Sequence, residues 1–299
     1  MKADSARTIF YALGANLAIA AAKTGAAIAT GSSAMLAEAI HSFADSGNQG
    51  LLLWGMRQAK RPPSPDYPLG WGKAVFFWSF IVALVLFSVG GLFSVYEGWH
   101  KLAEPHPLSY PWVAIAILVF GLVAESISLR ACLQEVDNAR GGRSLTRWLG
   151  ETRQSELVVI LGEDVAALVG LALALIAVLV AIFTGDSTWD ALGSIAIGVV
   201  LIVVAVGIGN QIRKLLIGRS ADPEVEARMR EFLQRCEEID RLYGMITLQL
   251  GTSLMVAVKA RMKARDVTEL IDGINRCEAA MRAEFQEIQW LFFEPDVRD

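Results

Sequence analysis

The sequence predicts an α-helical membrane protein: six transmembrane helices followed by a small α+β cytoplasmic domain of αββαβ order. Three observations carry this. Of 299 residues, 54% are hydrophobic and only 19% are charged, against about 25% charged in ordinary soluble domains. The charges are unevenly spread: long stretches of the first 215 residues have almost none, whereas residues 215–299 have an ordinary soluble composition. Finally, six apolar runs each approach or exceed the ~20 residues that a helix needs to cross a bilayer. The expected division is a six-helix membrane domain over 1–214 and a cytoplasmic domain over 215–299.

The six spans fall near 9–30, 34–56, 76–97, 111–133, 157–183 and 190–212. The first follows MKADSARTIF, a stretch too polar and short to be read as a cleavable signal peptide. Only GSS separates the first two, which makes them a tight hairpin. RQAKRPPSPDYPLGWGK, rich in Pro and Gly, must be a loop between the second and third. That loop carries Arg57, Lys60, Arg61 and Lys73. The 134–155 loop carries Arg140, Arg143, Arg147 and Arg153, and the exit from the sixth span adds Arg213, Lys214 and Arg219. The opposite loops hold few cations, so the positive-inside rule puts both termini in the cytoplasm. Trp99, Tyr110, Trp112 and Trp189 sit near span ends, where aromatic belts form.

In the tail, Asp222 followed by Pro223 reads as an N-cap with Pro at the first helical position, and the helix runs to about Ile239. MITLQLGTSLMVAVKARM reads as two strands joined at Gly251-Thr252-Ser253. Asp266, with Glu269 three residues on, opens a second helix as a capping box. IQWLFFEP reads as a third strand.

Polar residues inside the spans are few. The second span holds Glu38, His41, Asp45 and Asn48; the fifth holds Glu163 and Asp164. His41 and Asp45 are four residues apart and share one helix face. Ionisable groups at membrane depth are costly, and ion handling is the usual return. A borderline divalent ion such as Zn²⁺ accepts imidazole nitrogen and carboxylate oxygen together. The second span would supply two ligands, and the carboxylates of the fifth the rest. The plainer reading is a hydrogen-bonded polar pair that holds helices together. Glu163 is about 100° around the helix from Asp164, so a role supporting the ligands stands beside ligation. Glu38 sits one turn before His41, near the helix entrance. Lys23 and Asn16 read as packing or ion-pair partners, Glu97 lies near the end of the third span, and Glu125 reads as a partner for Arg130 or as a snorkelling side chain. His100 and His106 are placed in a polar, solvated loop. The three cysteines, Cys132, Cys236 and Cys277, match no pairing motif and read as reduced packing residues.

Taken together, these residues resemble the cation diffusion facilitator family of divalent-metal/proton antiporters. The likeness covers nearly the whole chain. It runs through the Lys23–Gly31 region of the first span, SSAMLAEAIHSFADSGNQ, the basic loop ending in YPLGWGK, the LLIGRSADP junction and the αββαβ tail. GEDVAALVG is similar to the Glu-Asp-x-Ala-Ala pattern of the branch that includes zinc transporter nine. The family builds its transport site from H-x-x-x-D on the second span and usually H-x-x-x-D on the fifth. The resemblance therefore implies His41, Asp45 and Asp164 as metal ligands, with Glu163, a backbone group or water as the fourth. Ile160 occupies the usual histidine position and cannot ligate. The resemblance also implies a homodimer through the tail. That tail has no histidine; Cys236, Cys277, Asp240 and Glu294 are its remaining candidate ligands.

The expected function is export of a divalent cation, zinc first and manganese or iron(II) as alternatives, in exchange for protons, from a bacterial inner membrane. The ion is cargo, and no cofactor is expected. A transport-inactive member acting as an interaction protein is the alternative. With a net charge of -4 and no basic stripe, nucleic acid is not an expected partner. No HExxH, nucleophile elbow or phosphate-binding glycine loop points to an enzyme.

Overall fold

The computed structural model describes residues 3–104 and 110–298, with side chains described from Leu17 onward. Six long helices come first. They are α1 (Ala3–Thr30), α2 (Ser33–Ala59), the helix made of α3 (Ala74–Val85), a π-helical stretch (Leu86–Leu92) and α4 (Phe93–Ala103), then α5 (Pro111–Arg140), α7 (Ser155–Thr184) and α8 (Thr188–Ile217). A short helix, α6 (Leu145–Glu151), forms within 134–155, where the sequence predicts a loop. Four helices, Ala74–Ala103, Pro111–Arg140, Ser155–Thr184 and Thr188–Ile217, are strongly apolar and long enough to cross a membrane. At 27 residues, α2 is about as long, but Glu38, His41, Asp45 and Asn48 dilute its hydropathy. The chain is a multi-pass membrane protein.

The helices overrun the apolar runs at nearly every end. The third span continues to Ala103 and the fourth to Arg140. Hydropathy marks the hydrocarbon slab, whereas backbone hydrogen bonding carries a helix on into the interface.

Two compact units form. One gathers the chain up to Trp54, Trp78–Arg143 and Glu156–Gln211; the other gathers Gly55–Phe77, Ser144–Ser155 and Ile212–Asp299. The first is the helical bundle, and its outside is greasy. Phe183, Ile28, Trp112, Trp99, Ile127 and Val203 are all exposed. Its inside holds buried Lys23, Glu38, His41, Ser42, Asn48, Glu163 and Asp190 among small apolar residues. Such an inverted polarity is what hydrocarbon demands, because a polar group facing lipid has no partner.

The second unit contains α9 (Pro223–Arg235), β1 (Ile239–Leu250), β2 (Ser253–Met262), α10 (Val267–Glu284) and β3 (Ile288–Pro295). This is the αββαβ order expected. The helix α9 stops at Arg235, before the expected end near Ile239, because the chain is already in β1 there. The sheet order is β1-β2-β3, with β1 antiparallel and β3 parallel to β2. Met229, Leu233, Val256, Val258, Cys277, Met281 and Leu291 make its core. Both expected caps form. Asp222 accepts from the Glu224 amide at 3.1 Å, Asp266 from the Glu269 amide at 2.8 Å, and Glu269 accepts from the Arg265 amide at 2.8 Å.

The YPLGWGK loop belongs to this unit. A Cβ on Gly72 would run into the Leu250 carbonyl, and Gly251, at φ +67°, abuts the Gly72 backbone. Only glycines permit that approach at the β1–β2 turn. Arg153 fastens α6 to the LLIGRSADP junction by donating to the carbonyls of Ser220 at 2.7 Å and Ala221 at 2.8 Å. Burial, aided by nearby Arg219, pushes its guanidinium down to about 10, so it stays charged at neutral pH.

Candidate metal site in the transmembrane helices

On α2 the one-turn spacing brings His41 Nε2 within 3.4 Å of Asp45 Oδ2. His41 is fully buried and the Asp45 side chain is 19% exposed. Five buried polar atoms from this one stretch have no hydrogen-bond partner: Glu38 Oε1, both ring nitrogens of His41, Asp45 Oδ1 and Asn48 Oδ1. Buried polar groups are ordinarily paired, and leaving one bare costs about 1–3 kcal/mol. When the carboxyls are ionised and the imidazole is neutral, all of these atoms but one imidazole nitrogen offer lone pairs. A run of orphaned lone pairs on a single helix is a cation's environment.

The fifth span, α7, offers its two acids to different neighbours. Glu163 is buried and accepts from Asn48 Nδ2 of α2 at 2.6 Å. Asp164 is half-buried and accepts from Ser128 Oγ of α5 at 3.3 and 3.4 Å. The ~100° step between adjacent helical residues produces this split. Glu163 also lies close enough to Asp45 to act on its charge. The ligand atoms of His41, Asp45, Glu163 and Asp164 are not gathered within 4.8 Å of one another; among the described residues that closeness occurs only in the tail. Ile160 is half-buried one turn before Asp164.

Lys23 of α1 is the counter-charge. It is 1% exposed, sits 3.4 Å from Glu38 Oε2 and donates to Ser42 Oγ at 2.7 Å. The ion-pair reading of Lys23 therefore holds, and Glu38 is its partner. Among the described residues, Glu125 of α5 forms no ion pair with Arg130. The result is a polar seam of imidazole, carboxylates, one ammonium and hydroxyls shared by α1, α2, α5 and α7. It can bind a hard or borderline cation and can hold protons.

Other candidates fall elsewhere. His100 is not in a loop: it sits exposed in the last turn of α4, where a cation suits the helix dipole. His106 and the Asn16 side chain lie outside the described residues. Glu97 is half-buried in α4. In the tail, Asp240 pairs with Arg261 and Glu294 is exposed, whereas Cys236 and Cys277 meet.

Two features escaped the sequence. Asn48 was visible as a polar residue in a span, but its partner was not. Asp190 reads in sequence as a loop acid at a span end; in the fold it is fully buried. It accepts from Ser32 Oγ at 2.5 Å, the Ser33 amide at 2.8 Å, Ser33 Oγ at 3.1 Å and Lys101 Nζ at 3.0 Å. A serine pair opening α2 and an acid opening α8 were the available signal.

Comparison with known proteins agrees with this architecture. Residues 9–217 match the model of the cation efflux transmembrane domain. The human protein named proton-coupled zinc antiporter SLC30A9, mitochondrial, is 33% identical over 239 residues, 79% of this chain and 41% of the relative. Metal tolerance protein C4 of Arabidopsis thaliana is 30% identical over 241 residues, covering 80% and 53%. The manganese efflux system protein MneP of Bacillus subtilis is 24% identical over 249 residues, covering 80% and 77%. The chain thus spans roughly half or less of the length of the first two relatives. With the family domain matched over most of its length, the chain belongs to the cation efflux, or cation diffusion facilitator, family.

Proposed function

We propose that the protein is a homodimeric secondary transporter that exports a divalent cation, zinc first, in exchange for protons. Residues 1–214 form the transport domain and residues 215–299 a cytoplasmic domain. Both termini face the cytoplasm, as the basic 57–73 and 134–155 loops require under the positive-inside rule. A bacterial inner membrane is the proposed location. The homodimer rests on the likeness of the tail to the family's dimerising domain.

The observation that carries the reading is the orphaned donor set on α2, His41 Nδ1 and Nε2 with Asp45 Oδ1, set deep among carboxylates. His41, Asp45 and Asp164 are the proposed ligands. Glu163 is the proposed fourth, its Oε1 steadied by Asn48. Imidazole and carboxylates bind metal only when deprotonated, so protons entering from the far side would release the ion and ride back on the same groups.

The test uses proteoliposomes loaded with a metal-sensitive dye. Asp45→Ala and Asp164→Ala are each expected to cut pH-driven zinc uptake at least about tenfold, the scale on which disturbing even a ligand's support lowers affinity. Wild-type uptake in both variants would overturn the site. The absence of any histidine on the fifth span favours one second reading, a transport-inactive member working through partners. Absence of metal flux in the wild-type protein would select it.

A further inference from the structure

The tail unit holds a cluster that the transport reading does not use. Cys236 is the C-cap of α9, Glu238 lies just before β1, and Cys277 is wholly buried in α10. The two sulfurs are 2.8 Å apart. Cys236 Sγ is 3.2 Å from Glu238 Oε2, and Cys277 Sγ is 3.8 Å from the same oxygen. Among the described residues this is the one place where three potential ligand atoms lie within 4.8 Å of one another.

We propose that Cys236, Cys277 and Glu238 form a thiolate-carboxylate site for a borderline divalent cation, Zn²⁺ by class, separate from the transport site. The donor chemistry supports this first: two thiolates and a carboxylate are a ligand set that zinc accepts, with water free to take the fourth position. Charge supports it second. Arg276 Nε holds Glu238 Oε1 at 2.8 Å, leaving Oε2 turned to the sulfurs. Two thiolates, one carboxylate, one guanidinium and a divalent ion sum to zero. A disulfide in the same place would leave the Glu238–Arg276 pair with no task toward the sulfurs. Access supports it third. Cys236 is half-buried and lines a cleft of about 380 Å³ with Arg228, Glu231, Phe232, Arg235, Glu284 and Phe285, so one of the two thiols is open to solvent. Around one zinc with Zn–S near 2.3 Å the sulfurs would stand about 3.8 Å apart. Cys236, at a helix end, is the residue placed to move. Binding would release the two thiol protons to solvent.

The site can be read without measuring transport. Full-length reduced protein, stripped by chelator in detergent, is titrated with Co²⁺, and the thiolate-to-cobalt charge-transfer absorption is recorded. The proposed transmembrane ligands contain no sulfur, and the third cysteine, Cys132, lies in α5, so loss of the signal in Cys236→Ser assigns it to the tail. One band per chain is expected, reversed by Zn²⁺, retained in Asp45→Ala, abolished in Cys236→Ser and weakened in Glu238→Gln. Cys277→Ser is expected to lose it too. Because Cys277 is a core residue, circular dichroism of that variant accompanies the titration, and the rim variants Cys236→Ser and Glu238→Gln carry the decision. No band in the reduced wild-type protein, or an unchanged band in Cys236→Ser, would overturn the proposal and leave the cysteines as packing residues.

Discussion

At the scale of single residues, the adjacent acids Glu163 and Asp164 decide most about the site. One hydrogen-bonds across to α2 and the other to α5. The sequence made His41 and Asp45 legible because four-residue spacing shares a face whatever the helix's rotation. The family resemblance put Asp164 ahead of Glu163, but helix spacing alone does not show which neighbour each one meets. ILGEDVAALVG is apolar on both flanks, so nothing in it reveals which side of α7 faces α2. Asn48 supplies that information in the fold, since its amide holds Glu163 Oε1 at 2.6 Å. Its removal leaves a buried carboxylate free to swing. Asn48→Ala is therefore expected to lower metal affinity about 10- to 100-fold, the range for groups that orient ligands. Titration of the purified protein with Zn²⁺ measures this. If Asn48→Ala binds as tightly as wild type, Glu163 does not depend on that hydrogen bond to act.

At the scale of elements, the first turn of α2 is capped from another helix. Asp190 at the start of α8 accepts the Ser33 amide and both serine hydroxyls, while Lys101 of α4 balances its charge and also donates to the Gly31 carbonyl. Three spans are thus fixed to one buried carboxylate, and α2 carries the proposed metal-binding face from that anchor. Local sequence shows the two ends of this contact but not that residues 157 apart meet. The same limit explains why α6 and the helix overruns were missed: they are set by hydrogen bonding and packing beyond the apolar runs that hydropathy reads. Breaking one side of a buried ion pair strands the other charge and costs about 3–5 kcal/mol. Asp190→Ala should therefore lower the melting temperature in detergent markedly. The double change Asp190→Ala with Lys101→Met should recover part of the loss, because no bare ammonium remains. A double variant no more stable than Asp190→Ala would show that the serines, not Lys101, are what Asp190 serves.

At the scale of the whole molecule, a membrane bundle with one histidine in its proposed ion site precedes a histidine-free tail. The tail's αββαβ order was legible because each of its elements carries its own caps, turns or alternation. Four of the bundle's six long helices were legible from apolar length alone, and α2 from a long run that its polar residues interrupt. Metal preference is set where neither kind of signal reaches, in the composition of a few buried ligands. One imidazole with two or three carboxylates is a harder set than two imidazoles with two carboxylates, and harder sets discriminate less against manganese. Among the relatives, one bears a zinc name and another a manganese name. Ile160, one helical turn before Asp164, is where the family usually places its second histidine, and it is half-buried here. Ile160→His should therefore soften the site and raise zinc over manganese in competition for uptake by about tenfold, equivalent to ~1.4 kcal/mol. Neither single-metal rate decides this; the ratio does, because a general loss of fold lowers both together. An unchanged zinc-to-manganese ratio in a well-folded variant would mean that residue 160 does not face the ion, and that α7 presents Glu163 and Asp164 from a different rotation than the family pattern implies.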